Sequence, residues 1–106
     1  MTAVRKPHEC TSMLDVEAGL DDTDRRIFTL LMVRFAYSTV AARIQADRSK
    51  ISDKRHIVGK LRRLEKDARE HGLDPHFVKR IYTELFEASI EHRRKVFKKL
   101  QIPETR

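Results

Sequence analysis

The chain is poor in the residues that staple or bend a small protein. It has one cysteine, Cys10, among 106 residues, so no intrachain disulfide framework and no cysteine-based zinc site can form. A lone thiol suits a reducing compartment. Three glycines and three prolines supply too few turn residues for a small all-β fold. The opening MTAVRKPHEC carries no apolar run of the signal-peptide kind, and no stretch is expected to reach the ~18–20 apolar residues of a membrane span. Together these absences predict a cytoplasmic protein without a membrane partner. Also missing are a Gly-rich phosphate loop, a nucleophile elbow and an HExxH pattern. His71 and His76 have no cysteine or carboxylate at metal-ligand spacing, and His8, Glu9 and Cys10 make at best a weak cluster. Covalent, metal-dependent and nucleotide-binding chemistry therefore all lose ground. The chemistry left open is catalysis by positioning and electrostatics.

What the chain has is helix-forming sequence and positive charge. Its length fits one domain. Charged residues make up 37% of it, and the formal net charge is +7, a balance that favours anionic partners. The basic runs KRHIVGKLRRLEK and EHRRKVFKK read mainly as solvated helix faces. No nucleic-acid partner is expected on this reading, because no recognition-helix turn is present and the aromatics fall mainly at packing positions.

Apolar residues recur at three- and four-residue steps from Leu14 or Asp15 to Asp47 or Arg48, predicting one unusually long helix. At about 34 residues it would span roughly 50 Å, against roughly 26 Å for a compact domain of this size. No internal repeat accounts for that length, so the helix is expected to be shared across a homodimer. A loop, ADRSKIS, follows, with Ser52 or Asp53 as N-cap. The second helix runs from Asp53 to His71 with Ile57, Leu61, Leu64 and Ala68 inward, and Gly72 caps it. Asp74 and Pro75 start a third helix ending near Leu100. The expected organisation is all-α: a flexible segment 1–13, one helical domain 14–100 and a tail 101–106.

Two of these helices carry polar groups inside apolar stripes. On the first, Ile27 and Leu31 lead into Arg34, Ser38, Ala41 and Gln45, while Val33, Tyr37, Val40 and Ile44 make a second side that also reads as buried. On the third, Val78, Ile81 and Leu85 lead into Ser89, Arg93 and Val96. Arg55 and His56 stand at the start of the second helix. A buried arginine is costly unless paired, and few acids lie nearby. Arginines converging with neutral donors would make an anion pocket suited to carboxylates. The bland alternative is that the arginines snorkel or pair across a dimer, that Ser89 is a small packing residue and that His56 lies on the surface.

The order LDVEAGLDDTDRRIFTLLMVRFAYSTVAARIQ, then SDKR, HGLDPHFV and FEASI, resembles the all-helical (AroQ-class) chorismate mutases and their isochorismate-pyruvate lyase branch. The likeness covers about residues 7–97, and KPHECTSMLDV is especially like the lyases. It implies an intertwined homodimer that binds a small dicarboxylate, chorismate or isochorismate, and uses no cofactor. It further implies that Arg34, Arg55 and Ser89 bind substrate, with His56 beside them. Gln45 falls where the family has a catalytic lysine, Arg93 where it has a glutamine that donates to the ether oxygen, and His56 where a glutamate is usual. Glu17 falls where the partner chain contributes an arginine. On this resemblance Arg34, Gln45 and Arg93 are the expected catalytic residues. The implied reactions are chorismate to prephenate, isochorismate to salicylate and pyruvate, or carboxylate binding without catalysis.

Overall fold

A computed structural model describes residues 3–45 and 54–101. Among them the protein is all-α, with no strand. A 3₁₀ turn at Pro7–Glu9 precedes α1 (Met13–Ile44), α2 (Lys54–Glu70) and α3 (Pro75–Gln101). The proposed loop and the Ser52 or Asp53 cap lie outside the described residues, as do the predicted end of the first helix at Asp47 or Arg48 and the tail beyond Gln101. The chain forms two compact units, Met1–Ala36 and Tyr37–Arg106.

The N-terminal unit begins with an arm laid beside α1. Ser12 caps the helix: its Oγ accepts from the Asp15 backbone N–H at 3.2 Å. Asp15 in turn accepts from the backbone N–H and hydroxyl of Thr11, at 3.0 and 3.2 Å. Arg5 Nε sits 3.7 Å from the same carboxylate. Chiefly because of the Thr11 backbone bond, and with help from the Thr11 hydroxyl and Arg5, the Asp15 carboxyl is held below its ordinary range.

The C-terminal unit joins the last turns of α1 to a hairpin of α2 and α3, which pack together. Sequence chemistry makes the hairpin turn. Gly72 takes φ 79°, the left-handed conformation that glycine adopts without a Cβ clash. The Leu73 N–H then reaches the Ala68 carbonyl at 2.8 Å and the Gly72 N–H reaches Arg69 at 3.5 Å, the paired bonds of a Schellman cap. Asp74 Oδ1 accepts from the His76 N–H at 2.9 Å, and Pro75 supplies a preset first helical φ. Both predicted boundary signals therefore act where the sequence places them.

The core is small. Ala42, Ala68, Phe86 and Phe97 are its buried apolar residues, and Ser38 and Ser89 are buried with them. Ala68 is a small buried residue on α2 where that helix packs against α3, which contributes the two buried phenylalanine rings. Each ring is worth roughly 1.5–3 kcal/mol of burial. Tyr82 and Phe86 meet at 5.7 Å, and the Lys60 ammonium of α2 stands 5.6 Å from the Phe86 ring.

Two packing expectations are corrected. Ile81 is 46% exposed while Phe86 and Phe97 are buried, so the inner stripe of α3 is rotated toward the larger aromatics. On α1, Val33, Tyr37, Val40 and Ile44 are all exposed, and so are Ile27 and Leu31. Only Ser38 and Ala42 are buried along its 32 residues. A helix that is apolar on several sides needs more surface than this unit supplies. An 18-residue window of α1 also reaches a mean hydropathy of 1.4, long and apolar enough to cross a membrane. The expectation that no stretch qualifies is thus corrected: scattered polar residues break the run without lowering its mean enough.

Candidate functional site

Most of the predicted site residues belong to the C-terminal unit. On α3, Ser89 and Arg93 lie one turn apart on one face. Ser89 is buried and already partnered. Arg93 is half-buried, and its Nε is the one buried side-chain nitrogen or oxygen among the described residues with no hydrogen-bond partner. Leaving a buried donor unpaired costs roughly 1–3 kcal/mol. A permanently charged guanidinium with an unused N–H at the α1–α3 junction has the chemistry to donate to an anionic oxygen.

The junction is pinned from α1. Thr39 Oγ1 and His92 Nε2 share a hydrogen bond of 2.7 Å. Thr39 follows the buried Ser38 and His92 precedes Arg93, so the bond sets these stretches of α1 and α3 against each other. Ser38, Thr39 and His92 were not among the predicted site residues. Ser38 was legible as a member of the Arg34 stripe. Thr39 and His92 carry no sequence signal, because each lies beside a stripe rather than on it and only the packing makes them neighbours.

Of the remaining predicted residues, Arg55, His56 and Glu17 are exposed, whereas Gln45 and Arg34 are half-buried like Arg93. Arg55 and His56 occupy the first turn of α2, exposed and engaged with neighbours. Gln45 is half-buried just past α1, with its backbone N–H donating to the Ala41 carbonyl at 2.9 Å. Arg34 and Glu17 belong to the N-terminal unit. Arg34 is half-buried and partnered, whereas Glu17 is exposed. Of the predicted arginines, Arg34 and Arg93 are half-buried and Arg55 is exposed. Among the described residues no three histidine, cysteine or carboxylate groups are placed to hold a metal ion.

Three helices carrying two buried serines and one buried guanidinium N–H without a partner define the class of the protein, a small all-α domain. Residues 16–94 match the family described as chorismate mutase type II, and the chain belongs to that family. It is also 27% identical over 82 residues to the isochorismate pyruvate lyase of Pseudomonas aeruginosa, an alignment covering 77% of this chain and 81% of that protein. The family membership supports an enzyme of the chorismate mutase and related lyase type.

Proposed function

We propose that the protein is a homodimeric chorismate mutase that rearranges chorismate to prephenate by positioning and electrostatics. The observation carrying this reading is the buried, unpartnered Nε of Arg93 one turn from buried Ser89. In the rearrangement the ether C–O bond breaks as a C–C bond forms within one molecule, and negative charge grows on the ether oxygen. A donor aimed at that oxygen stabilises the transition state more than the substrate. Arg93 fills this role with a charge-assisted bond, roughly twice as strong as a neutral one. Gln45 adds a neutral amide donor from the opposite wall. By the family resemblance Arg34 binds a substrate carboxylate, and Arg55, His56 and Ser89 are further substrate-binding residues.

Glu17, which the family resemblance implies is contributed by the second copy, sets the condition on activity. A carboxylate about 4 Å from a substrate carboxylate would cost about 4 kcal/mol at an effective dielectric of 20. Productive binding requires Glu17 to turn away or to pair with Arg93. The dimer is supported by helix register. Leu20, Ile27 and Leu31 are exposed yet repeat along α1 on the same stripe as buried Ser38 and Ala42. A second copy is the natural cover for that stripe.

Isochorismate-pyruvate lyase activity is the second reading, supported by the name of the Pseudomonas relative. One experiment separates the two: purified protein is given chorismate and isochorismate in parallel, following loss of chorismate absorbance and appearance of salicylate fluorescence. Turnover of chorismate to prephenate supports the mutase, and salicylate formation supports the lyase. Lack of turnover with tight binding would replace both with a non-catalytic carboxylate binder. No binding of chorismate, isochorismate or prephenate at millimolar concentration would sink all three.

A further inference from the structure

Thr39 Oγ1 and His92 Nε2 lie 2.7 Å apart, joining α1 to α3 across 53 positions of chain. Both residues are half-buried. The buried residues within one turn of them are small: Ser38 and Ala42 on α1, each 1% exposed, and Ser89 on α3, 4% exposed. Ser38 and Ala42 are the only buried residues along α1, so no large buried side chain of α1 interlocks with α3 to fix its register. A hydrogen bond is directional and is stronger in dry surroundings than in water. At this junction the Thr39–His92 bond resists rolling of α3 about its own axis.

Arg93 follows His92 and lies about 100° further round α3. Its guanidinium is carried on a long side chain with many rotamers, and its buried Nε has no hydrogen-bond partner to aim it. The direction of that N–H is then set by the helix beneath it. Displacing a reacting group by about 1 Å can cost on the order of 100-fold in rate. We infer that His92 and Thr39 are positioning residues: their bond sets the rotation of α3 and so aims the Arg93 Nε–H at the ether oxygen of the substrate. In this role neither residue needs to touch the substrate. The inference rests on the mutase reading of Arg93 and adds to it the pair that holds Arg93 in line.

The test uses the full chain and two readouts. Thr39→Val keeps the shape of the side chain and removes the hydroxyl, whereas Thr39→Ser keeps the hydroxyl. With chorismate as substrate, Thr39→Val and His92→Leu are each expected to lower kcat at least tenfold while KM moves less than threefold. Thr39→Ser and His92→Gln, which keep a partner for the bond, should stay within threefold of the parent. Adding Thr39→Val to Arg93→Met should cost no more than a further twofold, because the group being aimed is gone. The second readout needs no turnover: the Arg93 Nε–H resonance in a proton–nitrogen NMR spectrum, assigned by its loss in Arg93→Met. It should exchange with water at least fivefold faster in Thr39→Val and return to the parent rate in Thr39→Ser. Circular dichroism checks that each variant keeps its helices, and Thr39→Ala replaces Thr39→Val if the latter does not fold. A parent without mutase turnover refutes the reading of Arg93, and the exchange rate then still decides whether the pair holds that side chain. A kcat loss under threefold, an equal loss in the Arg93→Met background, or an unchanged exchange rate would each overturn the inference.

Discussion

Removing apolar bulk from the bare stripe of α1 should weaken the dimer by a computable amount. Leu20 is 57% exposed and Ile27 50% exposed within one chain. Together they offer a partner about one full side chain of apolar surface. Burying it is worth roughly 1.5–3 kcal/mol per protomer, and double that across a two-fold interface. The Leu20→Ala, Ile27→Ala double variant should therefore lose about 3–6 kcal/mol of association free energy. At 1.4 kcal/mol per decade that raises the dimer dissociation constant roughly 10²–10⁴-fold. Sedimentation equilibrium over a concentration series measures the constant directly. Helicity by circular dichroism should persist, since neither side chain is buried in the single chain and alanine is a strong helix former. Two results would refute the reasoning: a parent protein that stays monomeric at tens of micromolar, or a double variant whose dissociation constant moves less than threefold. Partition of the parent protein into neutral vesicles would reassign the stripe to lipid.

Arg93→Met should separate stability from binding. Removing the buried, unpartnered Nε should leave the melting temperature unchanged or raise it, whereas affinity for a chorismate-like dianion should fall about 10–100-fold, in line with a lost charge-assisted bond of roughly 1.5–3 kcal/mol. Calorimetric melting and titration read the two effects. Gly72→Ala forces a side chain into φ 79° and should cost roughly 1–2 kcal/mol, seen as a lowered urea midpoint with unchanged slope. The arm should respond to acid. The Asp15 carboxyl is held below its ordinary value of 3.8, so its contribution is complete above that value and is lost as pH falls through the lower folded-state value. The protection factor of the Thr11 amide, monitored by NMR, should fall as acid protonates Asp15, and Asp15→Asn should show weakened protection already at neutral pH.

Local signals were fully readable at the hairpin turn. The Gly72 cap and the Asp74–Pro75 start depend on the residues themselves, because a left-handed φ and a preset helical φ are intrinsic preferences. The Ser12 cap of α1 was legible in the same way, yet the apolar periodicity drew the predicted start to Leu14 or Asp15. Site chemistry was readable in part. Ser89 and Arg93 stand out because a serine and an arginine continue an apolar stripe, and spacing alone puts them on one face.

By itself, the sequence determined three helices, the turn between the second and third, and the family to which their order belongs. Each of these follows from periodicity and backbone preference over neighbouring residues. Only the tertiary structure decided that Phe86 and Phe97 rather than Ile81 fill the core, and that Thr39 meets His92 across 53 positions of chain. It also decided that Arg93 keeps one donor unpaired and that α1 leaves most of its apolar surface bare. Burial and pairing depend on which faces meet, and a helical pattern read along one chain gives each face without naming its neighbour.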